Sequence, residues 1–309
     1  MGYAGRRIFQ AVISILGVST IVFFILHLSG DPVLLMVPQN STAEDIANLR
    51  HSLGLDKPLG IQYILFIKNL LQGNLGYSYV QSQPAMDIVM ERVPYTVELA
   101  LAALVISLAI GITIGMLTAI YRGKWIERML MPIILIGQSM PAFWTGILLI
   151  MLMSVRLHLL PSSGSSGIQS LVLPAITLAS LSMATVARMT RSSVIEQLGK
   201  DYVKTARSKG VGNARLLIRH ILRNAAIPII TIIGLEAANL LGGAVITETI
   251  FAWPGLGQLT IQSIAARDFP LVQAIVLLGA GTYIFINLIT DLLYGLVDPR
   301  IKLGKDVAE

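Results

Sequence analysis

The stretch "GKDYVKTARSKGVGNARLLIRHILRNAAIPIITIIGLEAANLLGGAVI", Gly199 to Ile246, sets two opposed chemistries end to end. From Gly199 to Pro228 it carries seven Lys or Arg (Lys200, Lys204, Arg207, Lys209, Arg215, Arg219 and Arg223) against a single acid, Asp201. From Ile227 to Ile246 it is apolar apart from a few polar side chains, with Glu236 as its one charge. About 20 apolar residues are what a helix needs to cross a bilayer core roughly 30 Å thick. A basic segment feeding such a run is the pattern of a cytoplasmic loop entering a membrane, so this stretch predicts a helical membrane protein.

The rest of the chain agrees. Of 309 residues 54% are hydrophobic and only 13% charged, and the mean hydropathy is +0.74; soluble domains carry roughly 25% charged residues. Cysteine is absent, which removes disulfides, thiolate metal sites and thiol nucleophiles. Six segments are long and apolar enough to span: Ile8 to Leu28, Thr96 to Ile120, Leu130 to Met153, Leu171 to Met189, Ile227 to Ile246 and Leu271 to Val297. The first follows Arg6 and Arg7 like a signal peptide, but it is longer than a signal core and runs into "SGDP", so it reads as an uncleaved anchor.

Counted on alternate sides, 17 of the 23 Lys and Arg fall at the N-terminus, after the second span, after the fourth span and in the tail. The positive-inside rule then places both termini and the basic stretch in the cytoplasm. The formal net charge of +6 belongs to these loops and calls for no nucleic acid. Ser29 to Pro94 lies outside as a folded cap, in which Ser41 and Glu44 fit a capping box, Gly54 a helix stop, and "GIQYILFIKNLLQG" a second, amphipathic helix. "LLPSSGSSG", Leu159 to Gly167, reads as an external loop. The organisation expected is an anchor and cap over 1–92, a transmembrane core over 93–297 and a cytoplasmic tail over 298–309.

Small residues mark close helix contacts where lipid gives no hydrophobic drive for association. The fifth span is dense in Ala and Gly, and Gly111 and Gly115 make a small-xxx-small pair in the second. In the basic stretch, Gly210 and Gly212 divide two helical pieces, the second with a stripe of Leu216, Leu217, Ile218, Ile221 and Leu222. A short helix, a glycine turn and an amphipathic helix make an exposed cytoplasmic knob; cations that only set topology and meet anionic lipid are the plainer reading.

The wording of the stretch decides between them. "KTARSKG" followed by "RHILRNAAIP" resembles the cytoplasmic loop of binding-protein-dependent ATP-binding-cassette importers, whose pattern is E-A-A-x-x-x-G and then an apolar turn to Pro. Lys204, Thr205 and Ala206 stand where E-A-A would be, while Gly210 and Pro228 keep their places. "SGDP", "LRHSLGLDKPLGIQY", "GNLGYS", "RVPYTVELA", "TETIFAWPGLGQL", "RDFPLVQA" and "INLITDLLYGLVDPR" extend the likeness to the peptide and nickel permease branch over nearly the whole chain. Ser29, where Pro is more usual, and Asn74, where an acid is usual, depart from it.

The resemblance implies an all-α membrane protein with the type I importer permease fold. It implies a second homologous permease, two ATPase subunits that hold ATP and Mg, an external solute-binding protein, and no cofactor or metal on this chain. It fits the lack of a G-x-x-x-x-G-K-[ST] phosphate loop here. Lys204, Thr205, Ala206, Arg207, Lys209 and Gly210 become the contact with an ATPase, within a coupling segment from Val203 to Leu216. Trp253, Pro254, Gly255 and Gly257 become a receptor-docking turn, or an interfacial anchor at a corner.

Polar residues in the spans have two readings each. Glu236 and Asn239 are pathway candidates, with Glu236 alternatively a packing residue. Asn287 and Asp291, four apart, suit interhelical hydrogen bonds more than substrate contact, and His27 and Glu98 suit interfacial positions. The cargo implied is a di- or oligopeptide, with a nickel chelate or glutathione as alternatives. A proton-coupled transporter using Glu236, Asp291 and Glu98 is the rival from another class, and no motif of an intramembrane hydrolase appears.

Overall fold

The computed structural model describes residues 3–28, 33, 42–52, 54–212 and 215–297. "SGDP", Ser41 of the expected capping box, and the tail beyond Val297 lie outside the described residues. In chain order the helices are α1 (Tyr3–Leu28), α2 (Ala43–Ser52), α3 (Leu59–Leu71), α4 (Ala85–Ile120), α5 (Trp125–Ser139), α6 (Ala142–Leu149), α7 (Ile168–Leu198), α8 (Asp201–Ser208), α9 (Leu222–Ile250), α10 (Leu256–Ala265) and α11 (Phe269–Val297). Two π-helical turns, Ile150–Arg156 and Leu216–Ile221, extend α6 and precede α9. Tyr77–Ser78 and Gln83–Pro84 pair as a short antiparallel ribbon.

Among the described residues, four helical segments are long and apolar enough to cross a membrane unaided: Gly5–Ile25, Ala85–Ile120, Ile168–Leu198 and Phe269–Leu292. Two more apolar runs are bent, Trp125–Ser139 against Ala142–Arg156 by 106° and Leu216–Ala226 against Pro228–Gly242 by 61°. With each bent pair counted as one span, the six expected spans are four continuous helices and two broken ones. The run from Leu130 to Met153 does not stay straight because Pro141 pushes Met140 into extended backbone, φ −79° and ψ 135°. Immediately before Met140 the Ser139 hydroxyl has turned back one turn onto the Leu135 carbonyl at 2.8 Å, which favours a bend.

The chain divides into two units, Met1–Thr96 with Pro254–Phe285, and Val97–Trp253 with Ile286–Glu309. In the first, α3 rests on α1, and Ile88, Val89, Leu259, Leu271 and Ala274 form an apolar core. In the second, α7 is the central helix, nearly every inward residue of which is buried, with α5, α6 and α9 packed on it. Gly111 and Gly115 bring α4 onto α7: a Cβ on Gly111 would stand 2.8 Å from Val186, and one on Gly115 2.6 Å from the Ala187 carbonyl. The small-xxx-small pair therefore serves packing within the chain. Gly234 of α9 does the same against α11, where a Cβ would collide with the Thr290 methyl.

Candidate functional site

The basic stretch folds as an elbow. α7 stops at Leu198, α8 runs only from Asp201 to Ser208, and Gly210 ends it with φ +76°. The Gly210 N–H donates to the Arg207 carbonyl at 2.9 Å and the Val211 N–H to the Ala206 carbonyl at 3.1 Å, the two bonds of a Schellman stop. Ala206 and Val211, the two positions whose apolar side chains accompany such a stop, both pack on the core beneath. Glycine is required for its left-handed backbone, since nothing lies within 4 Å of where a Cβ would stand.

The elbow has a dry inner face and a charged outer one. Val203, Leu216 and Ile221 are buried against Ala119, Val194, Ala225 and Ile229. Lys204, Thr205, Arg207, Lys209 and Gly210 are exposed and Ala206 is half-buried. Lys204 donates to Asp201 Oδ1 at 2.9 Å, and Lys200 lies 3.2 Å from Glu196. The predicted stripe on the second piece holds except at Ile218, which is 67% exposed. In a π-turn hydrogen bonds join residues five apart, so Leu216 and Ile221 share one face and Ile218 is turned away from it.

A second tie braces the same unit. Glu127, in the first turn of α5, accepts the Gly123 N–H at 2.6 Å and the Arg191 guanidinium of α7. Neither residue stands out in the sequence, where Arg191 is one more topological cation. On α9, Leu235, Asn239, Gly242 and Ile246 make one exposed face at helical spacing, opposite buried Leu240 and Ala244. Asn239 is on this face and half-buried Glu236 is at its edge. Asn287 and Asp291 are half-buried on α11, and the residue of that helix that meets Gly234 is Thr290.

The aromatic turn is a folded joint. α9 ends at Ile250, Ala252 takes φ +47°, and the Trp253 N–H returns to the Glu248 carbonyl at 2.8 Å. Trp253 is 2% exposed, Gly255 and Gly257 are buried and Pro254 is half-buried, so the Trp253 ring stabilises the turn and offers no outward face. From Pro254 onward the quoted motifs of the first unit converge. The Leu256 N–H donates to the Thr96 hydroxyl at 2.8 Å, Ser78 donates its hydroxyl to buried Asp268, and Pro270 lies against Gly76. Asp268 also caps α11, accepting the Leu271 N–H at 3.4 Å.

Residues 111–303 match the family described as "Binding-protein-dependent transport system inner membrane component", and residues 1–100 its N-terminal companion, "Binding-prot-dependent transport system membrane comp, N-term". The chain belongs to this family. It is 39% identical to the dipeptide transport system permease protein DppB of Escherichia coli over 97% of this chain and 98% of that one. It is also 39% identical to the glutathione transport system permease protein GsiC of Escherichia coli, over 98% and 99%. Among solved structures it resembles the MetNI methionine transporter in an inward-facing conformation, with a TM-score of 0.60 and 19% identity over 69% of this chain and 97% of that one. The fold is that of importer permeases, and the chain is a membrane transport component that leaves ATP hydrolysis to a separate subunit.

Proposed function

We propose that this chain is one of two homologous membrane subunits through which di- and oligopeptides enter the cytoplasm, driven by two ATPase subunits that bind ATP and Mg. An external solute-binding protein delivers the cargo. The observation that carries this reading is the elbow: a glycine-stopped helix with Val203 locked into the core and Lys204, Thr205, Arg207 and Lys209 turned outward. Such a knob can seat in a groove of an ATPase, and a shift of it passes to α7 and α9 because its inner face is packed against both. Switching of this kind needs two packings only a few kcal/mol apart.

The dipeptide, di/tripeptide and glutathione names of the relatives share a peptide cargo, which favours peptide here. We assign Asn239 and Glu236 to the pathway, Asn287 and Asp291 to helix packing, and both termini to the cytoplasm. The joint around Trp253, Pro254, Gly255 and Gly257 serves receptor docking by holding its exposed neighbours in place. Residues 1–92, 93–297 and 298–309 are assigned to anchor and cap, permease core and tail. The test uses the complex in proteoliposomes with Lys204→Cys or Thr205→Cys. These positions should crosslink to an ATPase subunit, and peptide uptake should require ATP and the binding protein together. Crosslinks to the binding protein instead, or uptake by this chain alone, would overturn the reading.

A further inference from the structure

The sequence reading puts the cap wholly outside the bilayer, but α3 is tied to α1 below the end of its apolar run. The Tyr63 hydroxyl meets the Thr20 hydroxyl at 2.7 Å, and the Phe23 ring lies 5.3 Å from Tyr63 and 5.4 Å from Phe66. The apolar segment of α1 extends to Ile25, five residues beyond Thr20, so at 1.5 Å per residue the tie is about 8 Å inside it. On the other side of α3, Ile61, Ile64 and Leu71 are exposed by 46%, 67% and 83%. The helix has no acid, and its one cation, Lys68, is on the exposed side.

We propose that α3 is an interfacial helix, with Ile61, Ile64 and Leu71 inserted among the acyl chains of the outer leaflet and Lys68 reaching up to lipid phosphate. Two observations select lipid over a protein partner. The stripe is held at the depth of the α1 span, and α1 itself exposes Ile21, Phe24 and Ile25 at that level. An apolar helix edge at acyl depth beside a lipid-facing span is covered by lipid, with a long Lys stem extending its charge to the headgroups. The Thr20 hydroxyl donates to the Leu16 carbonyl at 2.7 Å, so Tyr63 is the donor to Thr20 and both O–H groups are used, as a water-poor site demands.

The chain has no cysteine, so single thiols can be placed without background. Nitroxides at Ile61→Cys, Ile64→Cys, Leu71→Cys and, as a water-exposed reference, Lys57→Cys would be measured in the assembled complex in nanodiscs. Collision with oxygen relative to a water-soluble nickel chelate should be several-fold higher at the three stripe positions than at Lys57. Chelate access at the stripe equal to that at Lys57 would overturn the proposal. So would chelate access lost only on adding the binding protein, which would assign the stripe to that protein.

Discussion

Gly210 and Ala252 end their helices in the same left-handed backbone and differ by one methyl group. At Gly210 the space around a Cβ is open, so substitution there tests conformation alone. Gly210→Ala should cost about 1–2 kcal/mol of elbow stability, and Gly210→Asn less, because Asn visits this region more readily. Peptide-stimulated ATPase activity of the assembled complex should fall in that order, with Gly210→Glu lowest. Equal activity of the Asn and Ala variants would show that the turn is not what glycine supplies. Asp268 carries a second residue-scale prediction, since it caps α11 and accepts from Ser78 while buried. Asp268→Ala should destabilise the complex by about 1–2 kcal/mol, read as a lower melting temperature, and Asp268→Asn, which keeps a cap acceptor, by less.

At the scale of elements, glycine spacing is more legible than proline. Gly54 and Gly210 are readable as helix stops because a positive φ needs a residue without Cβ, and both have it, at +67° and +76°. Gly111 and Gly115 are readable as a contact, although not as one with α7. Pro94, Pro132 and Pro174 lie within continuous helices, whereas Pro141 breaks one, and no local pattern separates them. The two π-turns are invisible in sequence because the extra residue each takes up leaves no mark in stretches as short and mainly apolar as "IMLMSVR" and "LLIRHI"; Ile218 is misplaced for that reason. The tie from Glu127 to Arg191 joins residues 64 apart, so packing alone decides it. The contact of Gly234 with Thr290 gives an element-scale test. Gly234→Ala should impair assembly by a few kcal/mol as α9 and α11 are forced apart. Adding Thr290→Ala, which removes the nearest two atoms, should restore part of the loss in a double-mutant cycle of thermal stability.

For the whole molecule, the proposed function has the exposed face of α9 meet cargo while the elbow meets the motor. Asn239→Leu should lower peptide uptake several-fold with assembly and basal ATPase activity kept, whereas Lys204→Ala with Arg207→Ala should weaken ATPase attachment in a salt-dependent way. Uptake unchanged by Asn239→Leu would move the pathway off this face. The first unit has a further property, because it is made from two distant stretches of the chain: Ser78 and Asp268 are 190 residues apart. A ribosome working at about 5–20 residues per second needs roughly 10–40 s to cover that distance. Through that interval the N-terminal quarter has already left the ribosome while Ser78 waits for Asp268, so nascent chains halted before residue 268 should be preferred targets of membrane proteases.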